Sequence, residues 1–235
     1  MSSNPANDLQ VDRPIRVLIH GASGRMGQAL LRLLPEFPSL QLVATPGRGE
    51  LSAAADFDVA VDFSLPEALP PLLQRCREQG AALVTGTTGL DASARQALES
   101  LAAQVPVLWA SNFSLGVAVM DRLVEEASAV LTPAGWQCDI IEQHHIHKKD
   151  APSGTALTLG ASAERAGAEV RYAALRAGDI VGEHTVQFAG VGERIELIHR
   201  ASSRDIFARG ALWCATRVAV APAGMHTIRS LLFPA

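Results

Sequence analysis

Strand-like apolar runs alternate with helix-like spacing through the first half of the chain. Ile15 to His20 is an apolar run apart from Arg16 and the closing His20, the pattern of a parallel strand buried on both faces. Gln28 to Leu34 follows, with Met26, Leu30, Leu33 and Leu34 along one side, which predicts an amphipathic helix. A second strand is expected over Leu40 to Thr45, closed by Pro46-Gly47, and a third over Asp58 to Phe63. Pro66 to Gln79 reads as a helix with proline near its first turn and Gly80 at its end. Ala81 to Thr85 and Pro106 to Ala110 predict two more strands, and Asp91 to Ala103 a helix between them. Such repeated strand–helix–strand units predict an α/β fold with a doubly wound parallel sheet.

The pattern changes after Asn112. Gly116 to Val130 is helical in spacing, Cys138 to His145 is a strand, and Ser153 to Ala166 is a helix. Strand-like runs then appear at Glu183 to Ala189, Glu193 to Ala201 and Ile206 to Thr216. These predict an α+β domain with a mixed sheet. The short tail from Val218 to Leu232 is expected to return to the first domain.

The first strand runs into Gly21-Ala22-Ser23-Gly24-Arg25-Met26-Gly27. Glycines at this spacing let the backbone turn tightly and approach a pyrophosphate, and the helix start adds free N–H groups and partial positive charge. The first domain is therefore Rossmann-like, with Gly21, Ser23, Gly24, Arg25, Met26 and Gly27 as cofactor candidates. A tight turn without ligand is the alternative. An acid usually ends the second strand in NAD-binding folds. Here the segment reads Thr45-Pro46-Gly47-Arg48-Gly49-Glu50. Arg48, together with Arg25, could clamp a 2′-phosphate, so NADPH is expected to bind at least as well as NADH. Arg48 could equally be a solvated loop residue, and Glu50 could fold back onto a ribose. Gly86-Thr87-Thr88-Gly89 and Ala110-Ser111-Asn112-Phe113 also follow strands, and ligands bind at the carboxyl ends of such strands. Gly86, Thr88, Ala110 and Phe113 are therefore expected around the nicotinamide.

Glu142-Gln143-His144-His145-Ile146-His147-Lys148-Lys149-Asp150 concentrates imidazoles and ammonium groups just before Ala151-Pro152-Ser153-Gly154-Thr155. A metal site from His144, His145, His147 and Asp150 would be opposed by Lys148 and Lys149, which repel a dication. A solvated basic loop explains the charge but not the adjoining turn. The preferred reading is an anionic-substrate site. Ser153, Gly154 and Thr155 would present hydroxyls and N–H groups to a carboxylate at a helix start. Lys148 would donate a proton or hold charge, and His144 would be a proton donor near neutral pH. Hydride delivery to a C=C or C=N bond leaves negative charge on the substrate, which such a donor quenches.

Bulk properties narrow the classes. The 235 residues carry a formal net charge of −4, which argues against a nucleic-acid binder and makes the positive charge of the loop local. Residues 1–13 are polar, carry Asp8 and Asp12, and lack the basic start and apolar core of a signal peptide, so a disordered extension is expected. No apolar run reaches the roughly 18 residues that span a membrane. Three scattered cysteines, Cys76, Cys138 and Cys214, suggest reduced thiols and a cytoplasmic protein.

These motifs, with Val61-Asp-Phe-Ser-Leu-Pro66, Ser111-Asn-Phe-Ser-Leu-Gly-Val117, Arg176-Ala-Gly-Asp-Ile-Val-Gly-Glu-His184 and His199-Arg-Ala-Ser-Ser-Arg204, resemble the dihydrodipicolinate reductase family over about residues 14 to 232. The resemblance implies His144 as proton donor/acceptor and Lys148 as second proton donor. It implies His145, Lys148, Gly154, Thr155 and Thr88 around the substrate carboxylates. The cofactor would meet Gly21, Arg25, Met26, Gly86, Thr88, Ala110 and Phe113, with NADPH or NADH as reductant. It further implies reduction of a small cyclic dicarboxylate, 4-hydroxy-tetrahydrodipicolinate, with loss of water, and a cytoplasmic homotetramer assembled through the second domain's sheet. The domains expected are residues 14–113 with 218–235 for the dinucleotide, and 114–217 for substrate and oligomerisation. The short segment between the second and third strands departs from the family pattern, as does Leu65 at a position basic in some members. A reductase of another dicarboxylate, such as an aspartate dehydrogenase-like enzyme, and a non-catalytic NADP-binding sensor are the competing readings. His144 and Lys148 argue against both.

Overall fold

The computed structural model describes residues 13–47, 50–51 and 54–234. The extension expected over 1–13 lies outside these residues except for Arg13, and Arg48 lies outside them too. The chain divides into two units, one running to Phe113 and resuming at Phe207, the other Ser114–Ile206.

In chain order the first unit contains β1 (Ile15–His20), α1 (Arg25–Leu33), β2 (Leu40–Ala44), β3 (Val59–Asp62), α2 (Leu69–Gln79), β4 (Ala82–Thr85), α3 (Ala92–Ala102) and β5 (Pro106–Trp109). The second unit follows with α4 (Leu115–Leu131), β6 (Gln137–His144), α5 (Gly154–Arg165), β7 (Val170–Arg176), β8 (Gly182–Gly190) and β9 (Glu193–Ala201). Helix α6 (Asp205–Val218), strand β10 (Gly224–His226) and helix α7 (Ile228–Leu232) complete the chain.

The first sheet has the order β10-β5-β4-β3-β1-β2, and every pairing in it is parallel. Val17, Leu18, Ile19, Val59, Ala60, Val61, Leu83, Val84, Val107 and Leu108 are all fully buried, as strands covered on both faces require. Leu18, Ala60, Leu83 and Val107 share one cluster with Leu72 and Cys76 of α2 and Leu98 and Leu101 of α3. Chain order reverses at β1, which has β2 on one side and β3 on the other. That reversal opens a crevice at the strands' carboxyl ends, where the glycine turn sits.

The second sheet has the order β7-β6-β8-β9, with β6 parallel to β7 and antiparallel to β8. Alternate residues of β6 point inward. Cys138 and Ile140 join Val186, Phe188, Val124 of α4 and Leu159 of α5 in the core. The same alternation carries Glu142 and His144 onto that buried face near the end of the strand. The mixed sheet and the parallel sheet are both as the sequence predicts.

Two expectations differ from the structure. Ile206 to Thr216, expected as a strand, is the body of α6. Ala208, Ala211, Leu212, Trp213, Cys214, Ala215 and Val218 are all buried, so the helix is apolar nearly all round and shows no one-sided stripe. The return to the first unit also comes at Phe207 rather than at residue 218. Two contacts tie α6 there. The Arg209 guanidinium donates to both oxygens of Glu36 at 2.8 and 2.9 Å. A Cβ on Gly210 would lie 1.7 Å from the Phe113 carbonyl oxygen, so only glycine lets the helix approach so closely.

Candidate active site

In the first unit the three glycines of the turn have separate tasks. Gly21 adopts φ +78°, which a side chain resists. A Cβ on Gly27 would stand 2.3 Å from the Gly21 carbonyl oxygen, so its absence lets α1 press against the turn. At Gly24 the nearest heavy atom to a Cβ would be the Gly21 oxygen at 3.3 Å, and the residue is exposed. Gly24 opens α1, whose first turn has no side-chain cap. Uncapped N–H groups beside exposed glycine backbone suit a pyrophosphate. Ser23 and Arg25 are exposed and Met26 half-buried at this helix start. Glu50 folds back and accepts the Gly47 N–H at 3.0 Å, so an acid does stand on the turn after β2.

Beneath the crevice lies Asp62, fully buried at the end of β3. His20 Nδ1 meets its Oδ1 at 2.8 Å, and Ser64 Oγ donates to that oxygen at 2.6 Å. Thr85 and Thr87 each donate a hydroxyl to Oδ2 at 2.7 Å. Register explains the meeting, since His20 pairs with Asp62 and Asp62 with Thr85. Burial alone would raise this carboxyl, but the four partners hold it below the usual carboxylate range. Thr87 is further held by its carbonyl, which accepts Trp109 Nε1–H at 3.1 Å. The loop that follows β4 is thereby anchored, and the next residue, Thr88, is exposed. At Gly86 the missing side chain makes room for the Phe63 ring, which a Cβ there would strike at 2.1 Å. Phe63 in turn lies against Phe113, with ring centroids 5.3 Å apart.

The second unit builds its site around Glu142, also fully buried. Arg176 on β7 grips it bidentately, at 2.8 Å to Oε2 and 2.7 Å to Oε1. The Ser153 N–H reaches Oε1 at 3.1 Å, and His144 Nδ1 reaches Oε2 at 2.5 Å. Burial would raise the Glu142 carboxyl, yet Arg176 and His144 hold it below its ordinary value. For His144 burial lowers the imidazole and Glu142 raises it, with a net position below the ordinary histidine value. Lys148 follows in the loop, with Nζ 2.9 Å from Asp150 Oδ1. His145 Nε2 lies 3.2 Å from the Arg204 guanidinium.

Helix α5 starts at this cluster. Ser153 is its N-cap, with Oγ accepting the Ala156 N–H at 3.2 Å and lying 3.1 Å from His184 Nε2. Gly154 is exposed, and a Cβ there would meet nothing within 4 Å. His184 faces His144 edge-on, with ring centroids 5.1 Å apart. A second pair repeats this cap on α4, where Ser114 Oγ accepts the Val117 N–H and lies 3.2 Å from His199 Nε2. His184 and His199 are direct cross-strand partners.

Comparison with known proteins matches both halves of the chain to one family. The model of dihydrodipicolinate reductase, N-terminus, covers residues 15–113, and that of dihydrodipicolinate reductase, C-terminus, covers residues 116–232. The chain belongs to the dihydrodipicolinate reductase family. The 4-hydroxy-tetrahydrodipicolinate reductase of Stenotrophomonas maltophilia (strain R551-3) is 62% identical, over 93% of this chain and 98% of the relative. That of Xylella fastidiosa (strain 9a5c) is 52% identical, over 94% of this chain and 100% of the relative. Among solved structures, the dipicolinate-bound dihydrodipicolinate reductase from Paenisporosarcina sp. TG-14 superposes with a TM-score of 0.73 at 21% identity, covering 91% of this chain and 97% of that one. The diaminopimelate dehydrogenase of C. glutamicum shares the fold more distantly, with a TM-score of 0.58 at 18% identity and coverage of 94% and 96%. Like its family, this reductase is an NAD(P)H-dependent oxidoreductase.

Within this reductase the residues singled out from sequence fall into clear groups. Gly21, Ser23, Gly24, Arg25, Met26 and Gly27 form one turn, and Gly86 and Thr88 lie on the anchored loop after β4. Ala110 follows β5 and is half-buried, whereas the Phe113 side chain is buried against Phe63. His144, His145, Lys148, Gly154 and Thr155 gather at the junction of β6 and α5. Ser153 departs from expectation: its hydroxyl is turned inward as a helix cap, because the start of α5 needs an acceptor. Asp62, Glu142, Arg176, His184, His199 and Arg204 were not assigned roles from sequence. Asp62, Arg176, His184, His199 and Arg204 do sit in the motifs that carry the resemblance, which is the signal that marks them. Among the described residues no group of three or more His, Cys, Asp or Glu is placed to hold a metal ion.

His184 makes the second unit sensitive to acid. Burial, with His144 and His199 adding to it, pushes its imidazole down to about 4. The unfolded chain takes up that proton near pH 6.5 and the folded chain only near 4. The stabilisation is therefore complete above pH 6.5, declines as pH falls through this window and is lost below 4, a change of about 3 kcal/mol. Denaturant unfolding followed from pH 7 to 4 should show this slope. The His184→Gln variant, whose amide can still reach Ser153, should lose that part of it; an unchanged slope would exclude His184 as the source.

Proposed function

We infer that this chain reduces 4-hydroxy-tetrahydrodipicolinate to tetrahydrodipicolinate with NADPH or NADH, losing water, in diaminopimelate and lysine biosynthesis. The observation that carries the reading is the union of His144 and the α5 start on one buried carboxylate, Glu142, with Lys148 in the loop between them, in a chain whose named relatives carry out this reaction. The cofactor fits the first unit: the backbone of Gly24, Arg25 and Met26 would hold its pyrophosphate, and the loops bearing Gly86, Thr88 and Ala110 would border its nicotinamide. When bound, that nicotinamide supplies the hydride.

The remaining chemistry belongs to the chain. The N–H groups of Gly154 and Thr155 bind a substrate carboxylate at the positive end of α5. His145 and Lys148 add charge on the same side. Loss of the 4-hydroxyl as water requires protonation of that oxygen, and hydride arrival leaves an electron pair on the substrate that takes up a proton. His144 supplies a proton from Nε2, since Nδ1 faces Glu142. Lys148 Nζ, held near Asp150, is the second donor.

Supporting a homotetramer, the face of the second sheet opposite α4 and α5 carries Ala173, Ile141, Thr185 and Ile198 in one cross-strand row. Ile141 and Ile198 are exposed, as is Leu175 beside them, an apolar surface suited to another copy. Cys76, Cys138 and Cys214 are free and buried, which suits the reducing cytoplasm. The decisive assay follows nicotinamide absorbance with aspartate semialdehyde, pyruvate and the upstream synthase. Synthase-dependent oxidation is the expected outcome, with NADPH at least as effective as NADH. Absence of oxidation in protein that still binds NADPH would point instead to another dicarboxylate or to a sensor.

A further inference from the structure

We propose that Glu142 is a positioning residue that fixes His144 as the Nδ1–H tautomer, with Arg176 locking the carboxylate in place, so that Nε2 is the nitrogen that exchanges protons with substrate. The inference rests on the reading of His144 as proton donor.

A neutral imidazole carries one N–H, and the hydrogen bond at one nitrogen decides where it sits. At 2.5 Å from Glu142 Oε2, His144 Nδ1 faces an ionised acceptor and must be the protonated nitrogen. Glu142 cannot leave this position. Its two oxygens receive both Arg176 N–H groups, the Ser153 N–H and the His144 N–H. Arg176 is itself held by the Asp150 carbonyl, so the clamp reaches the loop that carries Lys148. A Cβ on Gly182 would lie 3.0 Å from His144 Nε2 and crowd the ring. Glycine at this position of β8 keeps that nitrogen uncovered.

The groups around His144 set the sign of any pH effect. Glu142 on its own strand favours the charged ring. Arg176 from β7, Lys148 from the loop and burial disfavour it, His184 of β8 lies against the ring edge, and the positive start of α5 is close by. Replacing Glu142 by glutamine removes the carboxylate that favours the imidazolium. The donor form would then persist only to lower pH, and the descending limb of the kcat profile would move to lower pH.

The test combines kinetics with nitrogen NMR on the NADPH-bound enzyme. In the wild type, ¹⁵N shifts should report His144 as Nδ1–H; an Nε2–H ring would overturn the proposal without any variant. Glu142→Gln should lower kcat on the order of 10²-fold or more, with KM for NADPH unchanged. Its His144 ring should show mixed or reversed tautomers, and Glu142→Asp should recover part of the rate. A Glu142→Gln enzyme with wild-type kcat, tautomer and pH limb would also overturn it. Failure of the reductase reading itself would appear separately, as a wild type that oxidises no NADPH while the tautomer result still stands.

Discussion

His144→Gln and Lys148→Ala should each lower kcat by about 10²–10⁴-fold while NADPH affinity stays at the wild-type value. The asymmetry follows from chain organisation, because both residues belong to the second unit and the glycine turn belongs to the first. Glutamine at 144 keeps the size and a hydrogen-bonding end group but cannot deliver a proton near neutral pH. Alanine at 148 removes the ammonium that Asp150 holds 2.9 Å away. The double variant should fall well short of the product of the two losses if both donors serve one proton economy. Stopped-flow turnover and fluorescence titration with NADPH separate the two quantities. Full turnover in both single variants would remove these residues from the chemistry.

Asp62→Ala should be the most damaging change in the first unit. It leaves the buried hydroxyls of Thr85 and Thr87 and the His20 ring without their shared acceptor. Breaking a buried, fully satisfied charged cluster on one side costs about 3–5 kcal/mol. The loop after β4 would lose an anchor, so NADPH affinity should fall as well. Asp62→Asn should be milder, because threonine and serine hydroxyls can reverse and accept from the new amide. Denaturant unfolding of both variants checks the order. An alanine variant within about 1 kcal/mol of the wild type, with unchanged NADPH affinity, would show that the cluster anchors nothing.

The glycine turn and the His/Lys run were legible because each is local. A strand followed by glycines at fixed spacing can do few things, and a cluster of cations before a helix start is costly without an anion to meet. Register was not legible. Glu142 meets Arg176 and His184 because β6 lies between β7 and β8, and their chain separation carries no periodic signal. Strand β7 shows why, since its exposed and half-buried residues mark no apolar run. Ser153 was read correctly as a helix start but given an outward hydroxyl, when the cap and His184 both hold it inside.

The sequence by itself determined the layered α/β plan, the glycine turn after β1 and the His/Lys run before α5. Hydrophobic period, glycine placement and side-chain chemistry act over a few residues and leave their mark there. Tertiary structure decided the rest: that α6 is a helix buried nearly all round, that one carboxylate gathers four donors beneath each site, and that His144 presents one nitrogen rather than the other. Those outcomes depend on which strands become neighbours, and the burial that follows makes an unpaired charge too costly to keep.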